Sequence, residues 1–562
     1  MRVLPRASFG ALLVVALGAT PALADSAAAA PCDTPATHRV SQVQGAGDAT
    51  PVPGQTVRVE GVVTGDFQRT DQLSGFFIQD PRPDSDPRTS EGLFVFARES
   101  FKDVKPGDRV LVTGKATEYN GWTELSPVSA VDVCGTGAVT PQPYTLPGDG
   151  LEAVENMLLT FPQPLTVSDT YNLGRYGEVT LAAGGRVFQS TDRPGVDPAA
   201  DKRRSLLLDD GSTRENPATL PPIVRLGDVA TGLTGVLGYG FGQYRLQPTQ
   251  PVPYAGANPR TPRPEPVVGN VTVASFNTLN WFTTVGSRGA SNPQEQQRQL
   301  AKLVAALKGV DADAVALMEV ENNGQTALQA LVDALNAEVG AGTYAALRHP
   351  NPGTDVIHVG LIYKPAKLKP VGEASSSQDP VFTRPPLIQT FRRVTGGQPF
   401  TMVVNHLKSK GSCPAGGPDA DQGDGQSCWN ATRVKQAQAL LQIVDDLPNP
   451  IVLGDLNAYG EEDPIDTLEA GGLTSVTKKF VPEEQRYSYL FQGQSGELDH
   501  AFVGRQLLKR VTSATIWHIN ADEPRVLDYN TEYNPPDLYR PDAYRSSDHD
   551  PLVVGLTLPG GR

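Results

Sequence analysis

The segment "PVPYAGANPRTPRPEP", Pro251 to Pro266, holds six prolines. Proline has a fixed φ and no backbone N–H, so neither a helix nor a central strand can run through such a stretch. It reads as a semi-rigid linker that divides the chain into two halves. A chain of 562 residues is also too long for one hydrophobic core, and two to four domains are expected. Hydrophobic content of 39% and charged content of 20% are those of ordinary globular domains.

Ahead of the linker the pattern has period two. "TVRVEGVVTGDF", "SGFFIQDP" and "GDRVLVTGKA" read as short strands separated by turns. Two stretches repeat one another: "GDRVLVTGKATEYNGWTELSP" from Gly107 and "GDVATGLTGVLGYGFGQYRLQP" from Gly227. Gly121 matches Gly242, Leu125 matches Leu246 and Pro127 matches Pro248. They predict two related small β-barrel modules, over residues 25–150 and 151–250. The first, over roughly residues 40–135, resembles the OB-like domains that precede secreted bacterial nucleases. Such barrels bind single strands by stacking bases on aromatics, and Phe76, Phe77, Tyr119 and Trp122 are candidates. An aromatic in a strand more often fills the core.

The first 24 residues read as a targeting segment. Arg2 and Arg6 precede the apolar "GALLVVALGA", and "ALA" at 22–24 is a small-residue cleavage site. No later segment is long and apolar enough to span a bilayer. The expected product is exported, extracellular or periplasmic, without a membrane anchor, and a monomer. Four cysteines remain, Cys32, Cys134, Cys413 and Cys428. An even count in an exported chain favours disulfides. Of the three possible pairings, Cys32–Cys134 and Cys413–Cys428 are preferred because each brackets one module. No spacing resembles a zinc site.

The formal charge is −14, and loss of Arg2 and Arg6 would take it to −16. General attraction to a phosphate backbone is therefore excluded as a source of affinity. Any nucleic-acid partner must be bound at a local site with cations.

Past the linker, over residues 269–562, strands alternate with helices. "SNPQEQQRQLAKLVAALKGV" is a helix capped by Asn292, with Pro293 in its first turn and Glu295 at capping-box spacing. "GQTALQALVDALN" and "NATRVKQAQALLQIVDDL" are two more. The pattern predicts a layered α/β domain.

Each apolar strand of this half meets a polar residue at one end. "VTVASFN" ends at Asn277, and "AVALMEV" carries Glu319. "TMVVNHLKSKG" carries His406, Lys408 and Lys410. "IVLGDLN" carries Asp455 and Asn457, which two-residue spacing puts on one side. Asp499 heads the strand after "SGEL", and Asp548 and His549 head "PLVVGLTL". Such a set predicts a cluster at one edge of the sheets. Its oxygen ligands suit Mg²⁺, Mn²⁺ or Ca²⁺ better than zinc, and histidines beside a cation can move protons. There is no Gly-x-Ser-x-Gly elbow or Gly-rich phosphate loop.

Taken in order, "SFNTLN", "MEVEN", "NHLKSKG", "GDLN", "ELDH" and "SSDHDP" resemble the endonuclease/exonuclease/phosphatase superfamily, most closely its secreted bacterial nuclease branch. The resemblance implies two packed β-sheets flanked by helices, and metal-dependent phosphoester hydrolysis. It implies metal-binding positions at Asn277, Glu319 and Asp548. It implies that Asp455 and Asn457 hold the attacking water and the phosphate, that His549 is the catalytic histidine oriented by Asp499, and that His406 is a second active-site histidine. Arg384, in "VFTRPPL", and Lys408 are candidate phosphate contacts. The expected activity is that of a nuclease on DNA or RNA. The alternatives are a phosphatase or phospholipid phosphodiesterase of the same superfamily, and a non-enzymatic surface binder.

Other polar residues carry blander readings. Asp550 is expected to cap a turn, and His358, His500 and His518 to be structural. Asp355 is a candidate support for His406. "DADQGDG", between Cys413 and Cys428, looks like a calcium loop but lacks the ligand spacing, and reads as an acidic loop pinned by a disulfide.

Overall fold

The computed structural model describes residues 31–148, 150–534 and 536–560; the targeting segment read from residues 1–24 lies outside them. The first half opens with a closed five-stranded barrel. Going round it, the strands are Thr56–Phe67, Gly75–Gln79, Gly92–Val95, Trp122–Thr136 and Asp108–Tyr119. This is the OB-like architecture expected from the alternating pattern, with Val59, Phe76, Ile78, Val110, Val112 and Leu125 pointing inward. Cys32 is bonded to Cys134, with Cα atoms 5.6 Å apart, which fastens the start of the described chain to the barrel's last strand.

The second module is not a barrel. It is an open nine-stranded sheet built from residues 142–255. The repeat is real at the level of a hairpin. Asn120 and Gly121 turn between Asp108–Tyr119 and Trp122–Thr136 with φ of 52° and 83°; Phe241 and Gly242 turn between Leu233–Gly240 and Gln243–Pro248 with 52° and 80°. Two consecutive left-handed residues make the turn whose twist suits a two-residue hairpin. What differs is closure: Gln243–Pro248 also pairs in parallel with Ser205–Leu208, which extends the sheet sideways.

The stacking aromatics are largely used internally. Phe76 and Phe77 are fully buried. Trp122 stacks on Phe94 at 4.2 Å and donates to Asn156 Oδ1 at 2.7 Å. Tyr119 alone of the four is exposed, at the hairpin tip.

The proline-rich linker is docked over residues 254–261. Tyr254–Ala255 pairs as an edge strand with Val229–Ala230. Arg260 grips Glu523, and Trp517 Nε1 donates to the Thr261 carbonyl at 3.0 Å.

The C-terminal half is a sandwich of two sheets with helices outside. One sheet runs Ala345–Ala346, Ile357–Tyr363, Ala314–Glu321, Val271–Trp281, Leu552–Leu556, Val511–Ile516. The other runs Leu368–Pro370, Leu387–Arg393, Phe400–His406, Pro450–Asp455, Asp499–Val503, Thr474–Ser475, with Ser375–Ser376 beside Leu387–Arg393. Val273, Met318 and Leu361 from the first sheet share a core with Val404, Leu453 and Ala501 from the second. The helices Pro293–Val310 and Thr326–Val339 cover the first sheet through Leu303, Leu307, Leu328 and Leu331. Asn430–Asp445 and Asp463–Ala470 cover the second. Asn292 caps its helix through the Glu295 N–H at 3.0 Å. The Glu295 carboxylate instead reaches the Ser291 amide at 2.8 Å and the Thr531 amide at 2.7 Å.

One topological fact positions the site. Each sheet has a central parallel pair: Val271–Trp281 with Ala314–Glu321, and Phe400–His406 with Pro450–Asp455. Each pair is flanked by an antiparallel strand, Leu552–Leu556 in one sheet and Asp499–Val503 in the other. C-terminal ends of the pairs and N-terminal ends of the flanking strands therefore meet at one edge.

Candidate active site

Asn277, Glu319, His406 and Asp455 lie at or near the ends of the four parallel strands, and Asp499 and His549 at the heads of the two flanking ones. Backbone irregularity aims two of them. The register with both neighbouring strands shifts around Glu319, which has φ of 62°. Leu279 and Asn280 opposite are also left-handed, at 51° and 53°. This bulge breaks the strand's alternation and turns the Glu319 carboxylate toward the Asn280 N–H, at 3.0 Å. Asn457, past the end of Pro450–Asp455, has φ of 48°; its amide N–H donates to Asp455 Oδ1 at 2.9 Å and its side chain to the Leu407 carbonyl at 3.2 Å.

Asp455 is the hub. Its Oδ2 accepts from Asn277 Nδ2 at 3.2 Å and stands 3.4 Å from His406 Nε2 and 3.9 Å from His549 Nε2. Burial pushes its carboxyl up to about 6, against the pull of His549. His549 is buried too, which disfavours its charge. The Asp499 and Asp455 carboxylates outweigh that and hold its pKa well above the ordinary imidazole value. Asp499 Oδ2 lies 2.7 Å from His549 Nδ1 and also accepts from Ser488 Oγ at 2.7 Å. His406 is driven the other way, by burial and then by Arg384 and His549, so its ring is neutral. Its Nδ1 has no hydrogen-bond partner. The site thus sets a cationic imidazole, a neutral imidazole and a carboxylate about a common point. That is the separation of protonation states that acid–base chemistry uses.

Glu319 faces Asp548 across the site. Burial, then the Asp548 carboxylate, raises the Glu319 pKa above its usual range. Among the described residues no group of three or more His, Cys, Asp or Glu side chains is placed to hold a metal ion. Two crowded carboxylates suit a hard cation whose remaining ligands are water and phosphate oxygens; Asn277 turns its Nδ2 to Asp455 at 3.2 Å while its Oδ1 accepts the Leu279 amide at 3.0 Å.

Arg384 is buried, and its donors go to the His406 carbonyl at 3.1 Å, the Leu407 carbonyl and Asp355 at 3.5 Å. These bonds use three of its five N–H donors and fix it behind His406. Asp355 supports Arg384 and, at 3.8 Å, Arg288; His406 pairs with Asp455 instead. Lys408 Nζ sits 4.5 Å over the Trp429 ring. Lys410 is removed from the site, in a buried ion pair with Glu462 at 2.6 Å. Cys413 is bonded to Cys428, Cα atoms 5.3 Å apart. In the enclosed loop Asp419 accepts from the Thr432 amide at 2.8 Å, at the start of the helix Asn430–Asp445.

Asp550 is buried and accepts from the Asn520 and Ala521 amides at 2.7 and 3.1 Å and from His518 at 2.9 Å. His518 stacks on Tyr487 at 3.9 Å, and His500 bonds the Ala458 carbonyl at 2.8 Å. His358 is buried in its strand.

Two neighbours of the site were not singled out by sequence. Tyr489 lies over the His549 ring, centroids 4.6 Å apart, and Ser488 holds Asp499. Both start the hairpin Tyr489–Phe491/Gln494–Gly496, whose two-residue turn Gln492-Gly493 has φ of 50° and 74°. The Gln-Gly pair between Phe491 and Gln494 was the available signal. Arg288, half-exposed beside Asp355, is a third.

Residues 275–549 match the family model described as Endonuclease/Exonuclease/phosphatase family, a span that runs through every one of these strand ends. That match lies wholly within the C-terminal half of the chain. Residues 122–256, from the barrel's last strand through the nine-stranded sheet, match a model described as Domain of unknown function (DUF8508). No curated protein matches the chain. Among solved structures, Danio rerio TDP2 complexed with single strand DNA product is 17% identical, covering 50% of this chain and 97% of its own, with a TM-score of 0.32. The human Nocturnin catalytic domain with bound sulfate is 20% identical over 52% of this chain and 98% of its own, TM-score 0.33. A mannosyl-6-phosphatase of Bacteroides thetaiotaomicron is 16% identical over 51% and 99%, TM-score 0.33.

Proposed function

We propose that the protein is an exported, metal-dependent phosphodiesterase that hydrolyses nucleic acid. The observation that carries this is the convergence on Asp455 Oδ2 of Asn277 at 3.2 Å, His406 at 3.4 Å and His549 at 3.9 Å, with Asp499 fixing His549 from behind. Every group needed to activate water, hold a phosphate and supply a proton comes from this one sheet edge. Export is supported by the two disulfides, which persist in oxidising compartments.

In this reading Asp455, with a pKa near 6, takes the proton of the attacking water and Asn457 helps to place it. His549, cationic at neutral pH, donates to a phosphate or leaving-group oxygen, and Asp499 keeps its Nδ1 proton in place so that Nε2 faces the reaction. Neutral His406 donates to a phosphate oxygen through Nε2. Glu319, Asp548 and the Asn277 amide would hold the divalent cation. Bound there, such an ion neutralises phosphate charge and stabilises the leaving oxygen. Arg288 and Lys408 give an otherwise acidic chain a local basic rim beside the site, which favours a polyanion.

The test is a panel of plasmid DNA, RNA, nucleoside monophosphates and sphingomyelin, each with Mg²⁺, Mn²⁺ or Ca²⁺ and with EDTA. Metal-dependent cleavage of DNA or RNA supports the reading. Hydrolysis of monoesters or sphingomyelin alone overturns it in favour of a phosphatase or lipid phosphodiesterase.

A further inference from the structure

The catalytic fold is matched from residue 275 onward, yet one wall of its active site is held by a segment far upstream. Residues 186–193 are part of the 184–204 connection between strands Val179–Ala183 and Ser205–Leu208 of the nine-stranded sheet. They lie along the outside of the hairpin that carries Tyr489. The Gln189 amide donates to the Ser495 carbonyl, and the Ser495 amide to the Val187 carbonyl, both at 2.9 Å. Arg186 spans 4.2 Å over the Tyr487 ring, pairs with Asp522 at 2.8 Å and donates to Ser495 Oγ at 3.1 Å. Asp192 is buried and accepts the Glu497 amide at 2.8 Å and the Gly460 amide at 3.4 Å. Thr191 Oγ donates to Glu462 at 2.9 Å.

The hairpin has no slack between its two neighbours. A Cβ placed on Gly496 would come within 2.6 Å of the Tyr459 ring and 3.1 Å of the Gln189 side chain. Its other side meets the chemistry. Tyr489 covers His549, Ser488 Oγ holds Asp499, and the Asp550 amide donates to the Ser488 carbonyl at 2.8 Å.

We propose that the 186–193 connection is a positioning element of the active site, with Arg186 and Asp192 as its positioning residues. They hold the 489–496 hairpin so that Tyr489 stays on the His549 ring and Ser488 on Asp499. The second β module is then a structural part of the catalytic centre and not a tethered substrate-binding domain. This rests on the reading of His549 and Asp499 as catalytic.

The test compares Arg186→Met, Arg186→Lys and Asp192→Ala with the full chain, on plasmid DNA and on the small phosphodiester bis-p-nitrophenyl phosphate. Positioning predicts that kcat falls by the same factor on both substrates, about 10- to 100-fold, since small displacements of reacting groups are that costly. KM should stay within about twofold. Arg186→Lys, which keeps the charge toward Asp522, should recover part of the loss. Tyr171→Ala, an exposed contact between the same module and Arg525, should change nothing. Unchanged kcat in all three variants, or a rise in KM confined to DNA, overturns the proposal. If Arg186→Met does not fold, the other two are read by the same criteria.

An activity-independent readout separates this from failure of the functional reading. The His549 Nδ1–H proton, assigned by its absence in His549→Ala, should give a downfield NMR signal that is lost or shifted in Arg186→Met. If the wild type hydrolyses no phosphoester, the functional reading fails and the signal alone decides; a signal identical in wild type and variants overturns the positioning role.

Discussion

Asp499 and His549 head strands in different sheets, yet their Oδ2 and Nδ1 atoms are 2.7 Å apart. The bond ties the two sheets together at the edge where the polar residues collect. Asp499→Asn should leave the fold intact, because Ser488 Oγ can still donate to the side-chain oxygen. It should lower kcat about 10²- to 10⁴-fold, the usual worth of one acid–base group. Steady-state kinetics with circular dichroism on the same sample checks this. A kcat within twofold of wild type would remove His549 from proton transfer.

Arg384 turns a buried charge into backbone geometry. It spans the carbonyls of His406 and Leu407, and burial depresses its pKa despite Asp355. Lysine lacks the forked donor set. Arg384→Lys should therefore cut kcat about tenfold or more while KM for a small phosphodiester changes little, since the expected loss is in His406 placement. A change in KM alone would make Arg384 a direct phosphate contact instead.

Much of this edge was legible beforehand. An apolar run ending in one polar residue is a strong signal because a strand leaves the core only at its ends. His406 and Asp455 close their strands, Asp499 opens its own and His549 lies just ahead of Leu552–Leu556, where that pattern put them; Asn277, expected at a strand end, lies inside Val271–Trp281. Glu319 was visible as a residue, but the bulge that aims it depends on strands far apart in sequence. Tyr489 and Ser488 sit in a short hairpin whose sequence says that it turns and not what it packs against. The repeat showed two like hairpins but not that one would close a barrel and the other extend a sheet, which strand pairing across the module decides. The proline-rich stretch looks like a free spacer in the sequence because its docking partners, Trp517 and Glu523, lie far along the chain.

The N-terminal half has its own pH dependence. The Glu155 carboxyl is pushed up to about 9 by burial, with Glu152 and Glu118 adding to it, and it accepts from Gln44 at 2.8 Å. Its folded pKa is above its unfolded one, so the stabilisation is complete below pH of about 4.5 and is lost as pH rises toward about 9. Glu155→Gln keeps an acceptor and removes the titration. It should stabilise the chain at pH 8 by an amount on the order of a few kcal/mol, because keeping a carboxyl protonated above its unfolded pKa costs about 1.4 kcal/mol per pH unit, and have little effect at pH 4.5. Denaturant melts followed at both pH values check it; an equal effect at both would mean that Glu155 does not titrate across this range.

The two disulfides should differ in weight. Cys32–Cys134 closes 102 residues and Cys413–Cys428 closes 15. The chain-entropy argument gives about 4.7 kcal/mol for a loop near the first length and about 3 kcal/mol for the second. Replacing each pair by serine and comparing calorimetric transitions should show the larger loss for Cys32–Cys134, confined to the transition of the N-terminal half. A larger loss for Cys413–Cys428 would contradict that ranking.

The most direct measurement is nicking of supercoiled plasmid by the purified protein with Mg²⁺, Mn²⁺ or Ca²⁺, with EDTA, and with His549→Ala and Glu319→Gln in parallel. Nicking that requires the cation, stops with EDTA and is lost in both variants is the predicted result. Nicking that survives EDTA, or that persists at wild-type rate in either variant, would contradict metal-dependent phosphodiester hydrolysis at this sheet edge.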